Sequence, residues 1–194
     1  LKTQFLKFTN KIYRIHSVNH QNNIISCALS FLKCILLAKK SNLEKILICE
    51  DDITFHNDSI YIWKLAIKEL PKDWDILLGG ISNFDYNLLD KKNKKYYNLV
   101  KIKDFSGEHM MLVNKKAYDI LLTYLINLQS KTKILHFDRF LGSLAKQNKL
   151  NIYCSVPFIS VPIFNGYSNI RNKYVNDKNY FIVTMNNLNN LIKK

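Results

Sequence analysis

Three carboxylates stand side by side at Glu50, Asp51 and Asp52, directly behind the apolar run Ile46-Leu47-Ile48-Cys49. Adjacent anions repel one another, and partial removal from water is costly unless a cation or hydrogen-bond donors compensate. Oxygen-only ligands suit a hard divalent ion such as Mg²⁺ or Mn²⁺, commonly shared with phosphate oxygens. An acidic turn that stays in water is the bland alternative. A second apolar run, Asp75-Ile76-Leu77-Leu78, ends in the pair Gly79-Gly80. Such a pair allows positive φ or close backbone approach to a ligand, and an ordinary turn would use it equally well.

Both runs lack period-2 alternation, as expected of strands covered on both faces, and the carboxyl ends of such strands are where open α/β sheets bind ligands. The residues between and around them read as helices. Ile24–Lys40 places Ile25, Leu29, Leu32 and Leu36 at helical spacing, with Ala28, Phe31 and Ile35 widening the stripe. Asn57, Asp58 and Ser59 offer caps for a helix running to Leu70 and stopped by Pro71. A polar, aromatic and lysine-rich stretch, Ile81–Asn98, reads as a long loop. Val100–Lys103 and His109–Val113 are short strands, and Asn114 caps a helix to about Leu128. Further on come a helix over Asp138–Gln147, a strand over Leu150–Tyr153, an extended tail punctuated by Pro157, Pro162 and Gly166, and a short terminal helix over Asn186–Lys193. Alternating strands and helices predict an α/β sandwich with a mostly parallel central sheet.

With 194 residues, 47% of them hydrophobic, the chain can bury one sizeable core, and a single domain over residues 1–194 is expected. The net charge of +14 does not point to nucleic acid. Of 29 basic residues only Arg14, Arg139 and Arg171 are arginine, and the lysines are spread out, whereas nucleic-acid binders favour clustered, arginine-rich contacts. No specific nucleic-acid partner is expected. The dense cluster Lys91, Lys92, Lys94 and Lys95 reads as a solvated loop able to attract an anionic acceptor or a membrane surface. Cys27, Cys34, Cys49 and Cys154 show no CxxC spacing and read as buried free thiols. No apolar run is long enough for a membrane span and no secretory signal is visible. The expected location is the cytoplasm or the inner face of a membrane, or a secretory lumen if the chain is part of a larger eukaryotic protein. The chain starts at Leu1 rather than Met, and is expected to be an excerpt.

Taken in order, the segments resemble glycosyltransferase family 25, which includes lipopolysaccharide, lipooligosaccharide and collagen galactosyltransferases. Cys27-Ala28-Leu29-Ser30, Ile48-Cys49-Glu50-Asp51-Asp52, Asp73–Gly80, Gly107–Asn114, His136–Leu141 and Ser168-Asn169-Ile170 carry the resemblance. Phe31 stands where the family often has histidine, Asn169 replaces an expected Asp, and the first strand of the nucleotide-binding fold is missing or degraded.

The resemblance implies a glycosyltransferase A-type, Rossmann-like fold. It also implies inverting transfer of a hexose, galactose favoured, from a UDP-sugar to a saccharide or glycoprotein acceptor. Under it Asp52 is assigned to a divalent metal, Mn²⁺ favoured over Mg²⁺, with Glu50 as its helper and Asp51 on ribose or sugar hydroxyls. An extended segment would put Glu50 and Asp52 on one side and Asp51 opposite. Gly79, Gly80, His109 and Ser168 are the other donor-binding candidates, His109 reading equally as a structural hydrogen bonder. Inversion needs one general base on the acceptor hydroxyl, for which Asp138 and Glu108 are the candidates, Asp138 reading equally as a helix N-cap. Tyr96, Tyr97 and Phe84 are better saccharide-stacking candidates than Trp74, which reads as core. A degenerate, non-catalytic sugar- or nucleotide-binding module of the same fold is the alternative.

Overall fold

The computed structural model describes residues 5–6, 8–9, 11–85, 96–129, 134–163, 165–168, 173–176 and 178–192. The lysine cluster Lys91–Lys95, and Asn169 and Ile170 of the last family-like segment, lie outside them.

Five strands form the central sheet: β1 (Lys45–Cys49), β3 (Ile76–Leu78), β5 (Leu99–Ile102), β7 (Met110–Asn114) and β8 (Ile152–Ser155), in the order β1-β7-β3-β8-β5. The expected mostly parallel arrangement is not found. Only β3 and β8 pair parallel; β1–β7, β7–β3 and β5–β8 are antiparallel. An apolar run buried on both faces reads the same whichever way it points, and β7 is inserted in reverse between β1 and β3. Side chains alternate between the two faces all the same. Ile48, Ile76, Leu78, Met111, Val113 and Ile152 enter one core layer, while Leu77, Met110, Leu112 and Tyr153 enter the other.

The first layer is covered by α1 (Asn23–Lys40), α3 (Tyr118–Leu122), α4 (Tyr124–Gln129), α5 (Phe137–Lys146) and α6 (Lys178–Ile192); the second is covered by α2 (Ser59–Glu69). Helix α1 starts where Asn22 Oδ1 accepts the Ile24 and Ile25 N–H groups (2.9 and 3.3 Å), and it ends on Lys39, Lys40 and a left-handed Asn42. Its buried stripe is Ala28, Phe31, Leu32, Ile35 and Ala38, so the helix is rotated slightly from the expected face and Leu36 is exposed. Phe31 is core, stacking on Phe137 at 5.4 Å.

Smaller pairs complete the fold: β2 (Ile53–Phe55) with β9 (Ser160–Pro162), β4 (Asn83–Phe84) with β6 (Phe105–Ser106), and β10 (Asn165–Ser168) with β11 (Lys173–Asn176). Three segments expected otherwise are these. The tail after Pro157 contains β9 and the β10–β11 hairpin; the terminal helix begins eight residues early, at Lys178; and the helix after Asn114 is broken into a 3₁₀ turn, α3 and α4. Asp75 pins the far rim of the sheet. Its Oδ2 accepts the Asn151 N–H at 2.7 Å, its Oδ1 lies 3.4 Å from Lys116 Nζ, and its carbonyl accepts the Asn114 N–H.

Candidate active site

The reversal of β7 decides where the chemistry collects. Strands β1 and β3 run the same way and β7 runs against both, so the carboxyl ends of the first two meet the amino end of the third. Glu50 follows β1, Gly79 and Gly80 follow β3, and Glu108 and His109 precede β7; all five share one rim. Backbone bonds extend the ladder to it: Glu50 N–H donates to the His109 carbonyl (3.0 Å) and Gly79 N–H to the Met110 carbonyl (2.9 Å).

Helix α5 brings Asp138 to the same place. Its Oδ2 accepts the Gly107 N–H at 3.0 Å and its Oδ1 the Arg139 N–H at 2.6 Å. Asp138 is therefore not the N-cap; His136 holds that position, and Asp138 is the second helical residue, clamping the loop before β7. Gly107 has φ +80°, and a Cβ there would lie 2.5 Å from Ser82 Oγ, so only glycine presents this N–H to Asp138.

Glu50, Glu108 and Asp138 repel one another. The Glu108 carboxyl is buried and pushed well above the usual range, by burial first and then by Asp138 and Glu50. Glu50, half-buried, is pushed up to about 8, by burial first and then by Asp52, Asp51 and Asp138. None of the ion pairs among the described residues reaches this cluster. The nearby Arg139 is turned to Asp104 (3.2 Å), which Lys146 also holds at 2.7 Å. Two residues that sequence reasoning did not assign to the site sit against it. Burial, followed by Glu50, Glu108 and Asp138, pushes the Cys27 thiol up to about 12, and the Tyr124 hydroxyl is raised by burial, then by Cys27 and Asp138. Only the packing of α1 and α4 reveals them.

The other candidates are placed as follows. Residues 51 and 52 form a turn between β1 and β2 rather than an extended segment, so the expected alternation stops at Glu50. Asp51 and Asp52 are exposed; the Asp52 carboxyl is raised chiefly by desolvation, against a lowering backbone hydrogen bond, with Asp51 adding to the rise. Gly79 and Gly80 are buried and have packing reasons of their own. A Cβ would lie 2.5 Å from Met110 Sδ at Gly79 and 2.6 Å from the Ser160 carbonyl at Gly80. His109 is buried with Nε2 2.8 Å from the Ser160 carbonyl and its ring edge-on to Phe181. Burial pulls its pKa down to about 4 against the pull of the Ser160 and Gly107 backbone, so it is neutral near pH 7. Its Nδ1 has no partner of good hydrogen-bond geometry among the described residues. Ser168 lies on the β10–β11 hairpin opposite Lys173, outside the central sheet.

Among the described residues no three His, Cys, Asp or Glu side chains converge closely enough to enclose a metal ion. The donor set at the rim nonetheless has the right chemistry. A hard divalent ion in a nucleotide site commonly takes one or two carboxylates and completes its shell with phosphate and water oxygens.

The family model for glycosyltransferase family 25 (LPS biosynthesis protein) matches residues 4–142, more than two thirds of the chain and all the acidic residues of the rim. The chain belongs to glycosyltransferase family 25. No curated protein matches it. Membership makes the rim the candidate catalytic centre of a sugar transferase, with sugar donor and acceptor substrates in general. The match ends within α5, so Ser168 lies beyond it. No helix among the described residues is long and apolar enough to cross a membrane.

Proposed function

We propose that this glycosyltransferase moves a hexose, galactose favoured, from a UDP-sugar to a saccharide or glycoprotein hydroxyl with inversion, using a divalent ion, Mn²⁺ favoured. One observation carries the reading: carboxylates from three distant segments, Glu50, Glu108 and Asp138, meet at one sheet rim without a basic partner among the described residues. Such a concentration of acids without cations beside them is costly to keep for folding alone, and is typical of sites tuned for chemistry. Asp52 and Glu50 would hold the ion, whose charge would stabilise the departing diphosphate.

Inversion requires an acceptor oxygen to attack the anomeric carbon as the bond to phosphate breaks, while its proton passes to a base on the acceptor side. Burial, then Asp138 and Glu50, push the Glu108 carboxyl well above the ordinary carboxylate range, which disfavours the ionised form that a base needs. Asp138 is fixed at the rim by the Gly107 and Arg139 N–H groups that its two carboxylate oxygens accept, and it fits the base better. Asp51 faces solvent beside Asp52, where ribose or sugar hydroxyls would be met.

Calorimetry of UDP-galactose with and without Mn²⁺, on wild type and Asp52→Ala, tests the reading. Metal-dependent binding lost in the variant is expected; equal binding in all four arms would overturn it. Phe31, packed into the core against Phe137 where the resemblance would place a histidine, supports a second reading, a non-catalytic module that binds a sugar or nucleotide. Donor turnover above background, abolished by Asp52→Asn, would exclude it.

A further inference from the structure

We propose that the groove between α6 and β4 is a subsite for one neutral hexose ring of the acceptor. The groove measures about 260 Å³. Asn83 and Phe84 line one side, and Asn179, Tyr180 and Asn187 the other. Among the described residues no Lys, Arg, Asp or Glu lines it, although the chain as a whole carries a net charge of +14. A nucleotide or phosphate needs cations or clustered N–H groups, which the described lining residues do not supply. Amides offer both donors and acceptors to sugar hydroxyls, and aromatic faces cover the apolar face of a pyranose. The volume falls below the range of about 300–1,000 Å³ usual for drug-sized ligands, which suits one ring and not a sugar nucleotide.

The groove is also built. Residues 179, 180, 183, 184 and 187 recur at helical spacing along one face of α6. Buried Thr184 donates to the Ser82 carbonyl at 2.7 Å, and Phe181 and Leu188 enter the core. That anchoring holds Tyr180, 64% exposed, over the groove without taking it out of solvent.

Its position ties it to the chemistry. Ser82 lines the groove and donates from Oγ to the Ser106 carbonyl at 2.9 Å; it also abuts Gly107, whose N–H binds Asp138. Two residue contacts thus separate the groove from the candidate base. An acceptor hydroxyl has to come within hydrogen-bond reach of that base, so the acceptor ring has to lie nearby. The same helix touches the rim again through Phe181 on His109.

The assignment rests on the transferase reading, and its test uses neither donor nor metal. Methyl β-D-galactopyranoside, methyl β-D-glucopyranoside and methyl N-acetyl-β-D-glucosaminide are titrated into wild type, Tyr180→Ala, Asn187→Ala and Tyr61→Ala, followed by amide NMR shifts. Tyr61 is an equally exposed tyrosine on α2, across the sheet, and serves as the control. At least one glycoside is expected to bind wild type and Tyr61→Ala alike, with affinity at least tenfold weaker in Tyr180→Ala. Binding to none of the three, or binding unchanged in both groove variants, would overturn the subsite. Loss of donor turnover with glycoside binding intact would instead count against the catalytic reading and leave the groove standing.

Discussion

Glu50→Gln should make the protein more stable at the expense of its activity. The Glu50 carboxyl is pushed from 4.5 up to about 8, so the folded chain keeps a proton there at pH 7 that the unfolded chain has released. A folded pKa above the unfolded one contributes stability that is complete below about pH 4.5 and lost progressively as pH rises to about 8. At about 1.4 kcal/mol per pH unit, the span from 4.5 to 7 sets a ceiling of about 3 kcal/mol. Glu50 keeps partial access to water, which screens it, and about 1–2 kcal/mol is the expected cost. Glutamine matches the protonated acid in shape and does not titrate. Urea unfolding in EDTA, for both proteins at pH 5, 7 and 8, should give curves that nearly coincide at pH 5. At pH 8 the variant should be more stable by about 1–2 kcal/mol. A gap independent of pH, or a wild type more stable at pH 8, would refute the electrostatic account of the rim.

Asp138→Asn leaves one amide oxygen where two carboxylate oxygens accept the Gly107 and Arg139 N–H groups, and should cost about 1 kcal/mol in unfolding experiments. As the base variant it should also slow single-turnover transfer about 10²–10⁴-fold with donor binding retained; a rate within about threefold of wild type would move the base to Glu108. Gly80→Ala puts a methyl 2.6 Å from the Ser160 carbonyl and should destabilise by about 1–3 kcal/mol, read as a lowered Tm; an unchanged Tm would mean that β9 yields easily. Asp75→Ala strands the Asn151 N–H and should cost about 1–3 kcal/mol in urea, most of it recovered by Asp75→Asn; equal losses in both would place the effect in the Lys116 pair.

Much of the fold was legible because burial leaves its mark on single residues. The run ending at Cys49 and the run before Gly79 appear where their apolar patterns place them, and α1 forms over the expected residues, turned so that Leu36 faces solvent. Strand direction was not legible, since Met110–Val113 has the same composition read either way and only pairing reveals its reversal. The early start of α6 was hidden by β-branched, aromatic and asparagine residues of modest helix propensity, among them Tyr180, Val183 and Thr184. At the site, the carboxylates could be found from their neighbours, whereas Cys27 and Tyr124 reach it only through tertiary packing. The turn at residues 51–52 broke an alternation argument that holds only while the chain stays extended.

The pairing pattern of the central sheet also bears on how the rim comes into being. Ile46 pairs with Val113, Ile76 with Ile152 and Ile102 with Ile152, so neighbouring strands are drawn from far apart along the chain. Closing such long loops takes entropy before any contact returns it, which slows the search for the native pairing. The carboxylates can crowd together only once β1, β7 and α5 are docked, so their repulsion is absent from the early, loosely paired states. It therefore falls chiefly on the escape from the native basin and hardly on the climb toward it. The acids that equip the protein for chemistry shorten the lifetime of each folded molecule without slowing its formation, and a cation bound among them would act as a kinetic brake on unfolding.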